Sequence, residues 1–192
     1  MRREQVLPAT VLLLLLCLVN ASDAGAKVFV HLYQGYTLWY PDHWHGGEPP
    51  SDAQDWFSAS TLSLSDEERH LYRHDPCPDG LDVATMWLRV KEGASCRATL
   101  EEQSAFGGPY VKWDEPVIGH RTFLRVQVPQ PEMTFQFACW SDGHRLFVFV
   151  LNVCTPSPRY HEYVEIWQKV IASLRLTTHP ESTGSAPSTL PR

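Results

Sequence analysis

Three groups of residues have types and spacings that could do chemistry. His161-Glu162-Tyr163-Val164-Glu165 comes within one residue of the zinc-protease helix His-Glu-x-x-His. Its second histidine is replaced by Glu165, so two imidazoles cannot meet one metal ion from adjacent helical turns. The stretch reads better as an amphipathic helix with a solvated polar face. Glu67, His70 and His74 would share one face of a helix over 66–74 capped by Ser65, a spacing that suits zinc. With Arg69 and Arg73 beside them, the same residues make a charged, solvated face. His43-x-His45 follows Asp42 in a loop, and two ligands fall short of the three or four of a firm site. The expectation is no metal and no cofactor.

Nucleophilic and nucleotide chemistry have no support. The chain has no G-x-S-x-G, no P-loop and no dinucleotide G-x-G-x-x-G. Glu101-Glu102 reads as charge at a helix N-terminus. Carboxylates paired across strands leave no trace in a sequence. A metal-dependent or hydrolytic enzyme with such a site is therefore the alternative to a non-catalytic binding protein. The aromatics Trp39, Tyr40, Trp44 and Trp56 gather around a long loop at 41–55. They suit core and loop anchoring, and they also suit a contact surface, because Trp and Tyr dominate interaction hot spots. Trp39, Tyr40, Trp44 and His45 are the expected binding residues, for a protein partner or a small ligand.

These residues belong to a chain with an export address. Arg2 and Arg3 precede a nine-residue apolar run, Val11 to Val19, and Ala24-Gly25-Ala26 is an A-x-A cleavage site. The run is far short of the roughly 20 residues that span a bilayer, so no transmembrane segment is expected. Residues 1–26 are read as a cleaved signal, giving a periplasmic or secreted chain that starts at Lys27. Lipid anchoring through Cys17 is the alternative, but Leu16 stands where a lipoprotein signal needs a small residue. The net charge of -6, with scattered Lys and Arg, excludes the basic stripe of a nucleic-acid binder.

Cys77, Cys96, Cys139 and Cys154 remain after cleavage, and an even count in an exported chain predicts two disulfides. Residues 133–140 and 145–153 are apolar strands around Ser141-Asp142-Gly143-His144, a hairpin signal with Asp142-Gly143 as its loop. That register puts Cys139 opposite Leu146 and Cys154 opposite Pro131. The two cysteines then lie on the order of 26 Å apart, far beyond the roughly 7 Å a disulfide allows. Two pairings stay open: Cys77–Cys154 with Cys96–Cys139, or Cys77–Cys139 with Cys96–Cys154.

Further strands are expected at Val28–Leu32, Tyr36–Tyr40, Trp56–Leu62, Leu81–Val90, Tyr110–Glu115 and Arg121–Val128. Thr99-Leu100-Glu101-Glu102 is a capping box opening a short helix. Ser157 and Pro158 start a longer one, with Tyr160, Tyr163, Val164, Trp167, Val170, Ile171 and Leu174 in one apolar stripe. In the hairpin, Phe135, Phe137, Leu146, Val148 and Val150 share one face, and Phe147, Phe149 and Leu151 the other. The expected architecture is α+β, an antiparallel sheet between helical layers. It forms one domain over 27–176, followed by a flexible Ser/Thr/Pro-rich tail over 177–192.

Three stretches in order resemble the PsbP-like superfamily, which includes extrinsic proteins of the photosynthetic oxygen-evolving complex and many small bacterial exported proteins. Gly35-Tyr36-Thr37-Leu38-Trp39-Tyr40-Pro41-Asp42-His43-Trp44 is similar to the family's opening strand. Glu115-Pro116-Val117-Ile118-Gly119-His120-Arg121 falls where the family turns through a glycine, and Ile166 to Leu176 resembles its closing helix and strand. The resemblance implies an α/β/α sandwich and a non-enzymatic docking or accessory role. The loop at 41–55 and the four cysteines depart from the usual pattern.

Overall fold

Among the described residues, alternating apolar side chains make most of the strands, and two stretches form α-helices. The structure, a computed structural model, describes residues 25–46, 56–61, 77, 82–93 and 95–177. The proposed signal up to residue 24, Cys17, the 66–74 helix and residues 178–192 of the tail lie outside the described residues. The strands are β1 (Ala26–His31), β2 (Tyr36–Pro41), β3 (His45–Gly46), β4 (Trp56–Ser60), β5 (Ala84–Glu92) and β6 (Lys112–Asp114). They continue as β7 (Val117–Ile118), β8 (Arg121–Thr122), β9 (Leu124–Pro129), β10 (Met133–Ser141), β11 (Arg145–Cys154) and β12 (Arg175–Leu176). The helices are α1 (Cys96–Ser104) and α2 (Tyr160–Ala172).

Seven antiparallel strands form the main sheet in the order β3-β4-β5-β11-β10-β9-β6. β11 is central, and all but its first residue are buried, because both of its faces are covered. On one face Phe147, Phe149, Leu151 and Val153 join Met86, Leu88 and Phe57 from neighbouring strands. Tyr163, Trp167, Val170 and Ile171 of α2 pack there, beside Tyr36, Leu38 and Tyr40 of β2. On the other face Val148, Val150, Phe137, Cys139 and Val126 pack under Leu100 of α1.

The described residues do not form the expected helical layers. The fold is mostly β. Helices of 9 and 13 residues are too short to roof a seven-stranded sheet. A second sheet, β1-β2-β12, shares one face with α2 and takes the place of a helical layer. Period-two alternation identifies a strand but not the sheet it joins.

The β10–β11 register also differs from the expected one. Cys139 stands opposite Val148, and Met133 opposite Cys154. The two-residue loop is Gly143-His144, because Asp142 pairs with Arg145 and not with Gly143. Gly143 has φ +100, as a turn with glycine in its first central position requires. The slip moves the pairing by two positions, so every side chain keeps its face. Cys139 and Cys154 remain on the order of 20 Å apart along the ladder. The disulfides are Cys77–Cys154 and Cys96–Cys139, with Cα atoms 5.4 and 5.5 Å apart.

Helix starts shift too. α1 begins one turn before the expected box: Ser95 is the N-cap and its Oγ accepts from the Ala98 N–H at 3.3 Å. α2 begins at Tyr160, two residues after the expected first position. Ser157 Oγ still accepts from the Arg159 N–H, and it donates to Asp82 Oδ1 at 2.6 Å. Tyr163 donates to Asp82 Oδ2 at 3.2 Å. Burial, then the Asp82 carboxylate, push that hydroxyl up to about 12, so it stays a donor at all ordinary pH.

Asp142 makes a testable clamp. Its Oδ1 accepts from the N–H groups of His144 and Arg145 at 3.0 and 2.8 Å. Its Oδ2 accepts from Arg145 Nη2 at 2.8 Å, while Arg145 Nη1 donates to the Gln34 carbonyl at 2.5 Å. Burial works to raise this carboxyl, but the two N–H groups and the guanidinium outweigh it and hold it below the ordinary 3.8. A lowered folded-state pKa gives stability that is complete above the unfolded value and lost as pH falls through the folded one. Asp142→Asn is expected to cost about 1–2 kcal/mol at pH 7. In urea unfolding, the gap from wild type should narrow steadily once pH drops below about 4.

Candidate functional site

The alternation of β1 divides its side chains sharply. Phe29 packs on the core, His31 is buried, and Lys27 Nζ donates to the Trp44 carbonyl at 3.4 Å. The other parity faces solvent: Val28 is 68% exposed and Val30 49%, and in the following turn Leu32 is 82% and Tyr33 79% exposed. β1 is an edge strand of the small sheet. Across the ladder Val28 faces Trp39, Val30 faces Thr37, and Thr37 faces Arg175 of β12. The half-buried Trp39 therefore belongs to the same outer face. Its N–H donates to Ser173 Oγ at 2.8 Å, which fixes β2 against the end of α2.

The other expected binding residues go elsewhere. Trp44 is 0% exposed, with its ring 6.0 Å from that of Tyr163. Tyr40 is buried 5.2 Å from the Phe57 ring and donates to the Gly46 carbonyl at 3.1 Å. His45 is exposed on β3, paired opposite Ser60. These residues hold the start of the loop from beneath, and of the four only Trp39 joins the apolar outer face. Trp56 lies in β4.

The metal candidates separate similarly. His43 Nδ1 lies 3.6 Å from Asp42 Oδ1 in an exposed pair. Among the described residues no three His, Cys, Asp or Glu side chains stand close enough to share an ion. Glu162 is ion-paired with Arg159, and that contact, ahead of a small opposing effect of burial, lowers its carboxyl. Glu101 pairs with Arg97 at 2.9 Å, within α1. No helix among the described residues is long and apolar enough to cross a membrane.

Sequence reasoning placed β1 but did not identify its exposed apolar side. Its Ala26, Val28 and Val30 are more apolar than Lys27, Phe29 and His31, so the pattern alone points the wrong side inward. The edge position that leaves Val28 and Val30 uncovered arises from the sheet order.

The completed fold has known likenesses. It superposes on the Saccharomyces cerevisiae Ran-binding protein Mog1p with a TM-score of 0.54 at 10% identity, covering 79% of this chain and 95% of that one. The likeness is one of fold. A crystal structure from Bacteroides thetaiotaomicron gives a TM-score of 0.50 at 14% identity over 81% of this chain. This chain spans about half the length of that protein, 50%. A solution structure of cyanobacterial PsbP (CyanoP) from Synechocystis matches at 11% identity with a TM-score of 0.39, too loose to argue from. No protein family's profile matches the chain, and no curated protein matches its sequence. What these comparisons show is a likeness of overall fold.

Proposed function

We propose that this chain is an exported, non-catalytic accessory protein that docks a protein partner on the outer face of β1 and β2. The observation that carries the reading is the run of exposed apolar side chains Val28, Val30, Leu32 and Tyr33 on and after an edge strand, with Trp39 beside them. A long exposed apolar edge is a hazard unless something covers it. An extended partner segment would pair with β1 through its backbone and place alternate side chains on Val28, Val30 and Trp39. Mog1p, named as a Ran-binding protein, is a precedent for a protein binder on this fold. Two disulfides fit an oxidising compartment. On this reading the signal is cut after Ala26, and Lys27 to His31 stay in the strand.

Photo-crosslinking tests the reading. A photoreactive residue at Val30, with the protein in its native exported fraction, is expected to give one discrete adduct that excess unlabelled protein suppresses. The same residue at Glu102, on exposed helix α1, should give none. Adducts at Glu102 and none at Val30 would move the docking face elsewhere. The intact mass of the exported chain should correspond to a start at Lys27.

A further inference from the structure

A shallow groove of about 380 Å³ runs between the β7–β8 hairpin and the C-terminal half of α2. Val117, Ile118, Gly119 and Ala172 make much of its lining apolar. Val117 is 70% exposed, although Ile118 beside it is buried. Gly119 turns the hairpin at φ +64, and a Cβ there would lie 3.4 Å from Ala172 and narrow the channel. Glu165 and Lys169, one helical turn apart on the α2 wall, offset each other in charge.

Two arginines, Arg121 and Arg175, adjoin residues that line this groove, and their charges act on one another. Arg175 Nη1 donates to the carbonyls of Ala172 and Leu174, each at 3.1 Å. Arg121, two residues beyond Gly119, stacks with its Cζ 4.7 Å from the Trp140 ring centre. Arg121 Nη1 is buried without a hydrogen-bond acceptor. Among the described residues neither arginine forms an ion pair. Burial, then the Arg175 charge, pull Arg121 below the usual guanidinium range. A partly buried cation with an unmet donor and a like-charged neighbour destabilises the free protein, and a carboxylate bound beside the two guanidiniums would relieve the repulsion between them.

We propose that Arg121, Arg175 and the adjoining groove form a site for an acidic protein segment, whose carboxylate accepts from both guanidiniums while a neighbouring apolar side chain lies on Val117 and Ala172. The apolar channel selects a peptide over a bare oxyanion. The site adjoins the β1–β2 face, where Arg175 stands opposite Thr37, and it is tested through different residues.

The probe is a capped hexapeptide of alternating leucine and glutamate, titrated while the Trp140 indole N–H is followed by NMR. A saturable shift is expected, absent with the glutamine version of the peptide and with inorganic phosphate. Arg121→Met keeps length and contact with Trp140 but removes the charge. It should weaken the peptide about tenfold and raise the melting temperature of the free protein by about 3 °C. Arg175→Gln should also weaken the peptide. No saturable shift, or an equal response to phosphate, would overturn the proposal. So would a lowered melting temperature with unchanged peptide affinity in Arg121→Met, since that marks a purely structural arginine.

Discussion

Replacing Cys77 and Cys154 together by serine is expected to lower the unfolding free energy by about 4 kcal/mol. The bridge closes a sequence separation of 77 residues, and chain-entropy reasoning for such a loop gives about 4.5 kcal/mol. The Cys96–Cys139 bridge closes 43 residues, for which the same reasoning gives about 4 kcal/mol. Native disulfides in small exported domains contribute about 2–5 kcal/mol, a large fraction of a total of roughly 5–15. The two bridges act on different places. Cys77–Cys154 ties the approach to β5 to the end of β11. Cys96–Cys139 fastens α1 onto β10, above the second core face. Urea unfolding of each double variant measures the effect, and both cysteines must change because a lone thiol invites exchange. A midpoint within error of wild type for both variants would mean that the bridges do not constrain the unfolded chain.

Trp44→Ala is expected to be nearly as severe, at about 3–5 kcal/mol. Trp44 is fully buried where the loop leaves β2, and its indole meets Tyr163 of α2 edge to face. Its carbonyl also receives Lys27 Nζ from β1. Truncation would open a cavity between the small sheet and α2, two elements that jointly roof one core face. Trp44→Phe should cost less because a ring still fills part of the space. Thermal unfolding with a near-ultraviolet tryptophan signal follows both variants. The result also separates two roles that composition confuses. Lost partner binding in Trp44→Ala would report a damaged fold, whereas His45→Ala, on an exposed side chain, changes stability by less than about 0.5 kcal/mol.

The sequence made some features legible because their physics is local. The β10–β11 hairpin has alternating apolar residues and a glycine turn, which were enough to assign both faces and to reject Cys139–Cys154. The one-position error in its loop came from Asp142, whose carboxylate caps the following N–H groups and moves the turn onto Gly143-His144. The stripe on α2 was equally legible, since Tyr163, Trp167, Val170 and Ile171 all prove buried. The layer arrangement was not legible. β1 and β2 read as ordinary strands, and only tertiary packing joins them with β12 in a separate sheet. The candidate site divided along the same line. Core anchoring and a contact surface were both open readings for Trp44, and only the packing against Tyr163 decides for the core. The exposed side of β1 depends on which edge of the sheet stays open, and strand patterning does not encode that.

The most direct measurement is the affinity of the crosslinked partner, once purified, for wild type and for the double variant Val28→Asp with Val30→Asp. Both side chains point to solvent, so the variant should unfold at nearly the wild-type urea concentration. Two charges placed on an apolar contact should weaken binding about 100-fold or more, equivalent to roughly 2.7 kcal/mol. Unchanged affinity in a folded variant would contradict docking on the β1–β2 face.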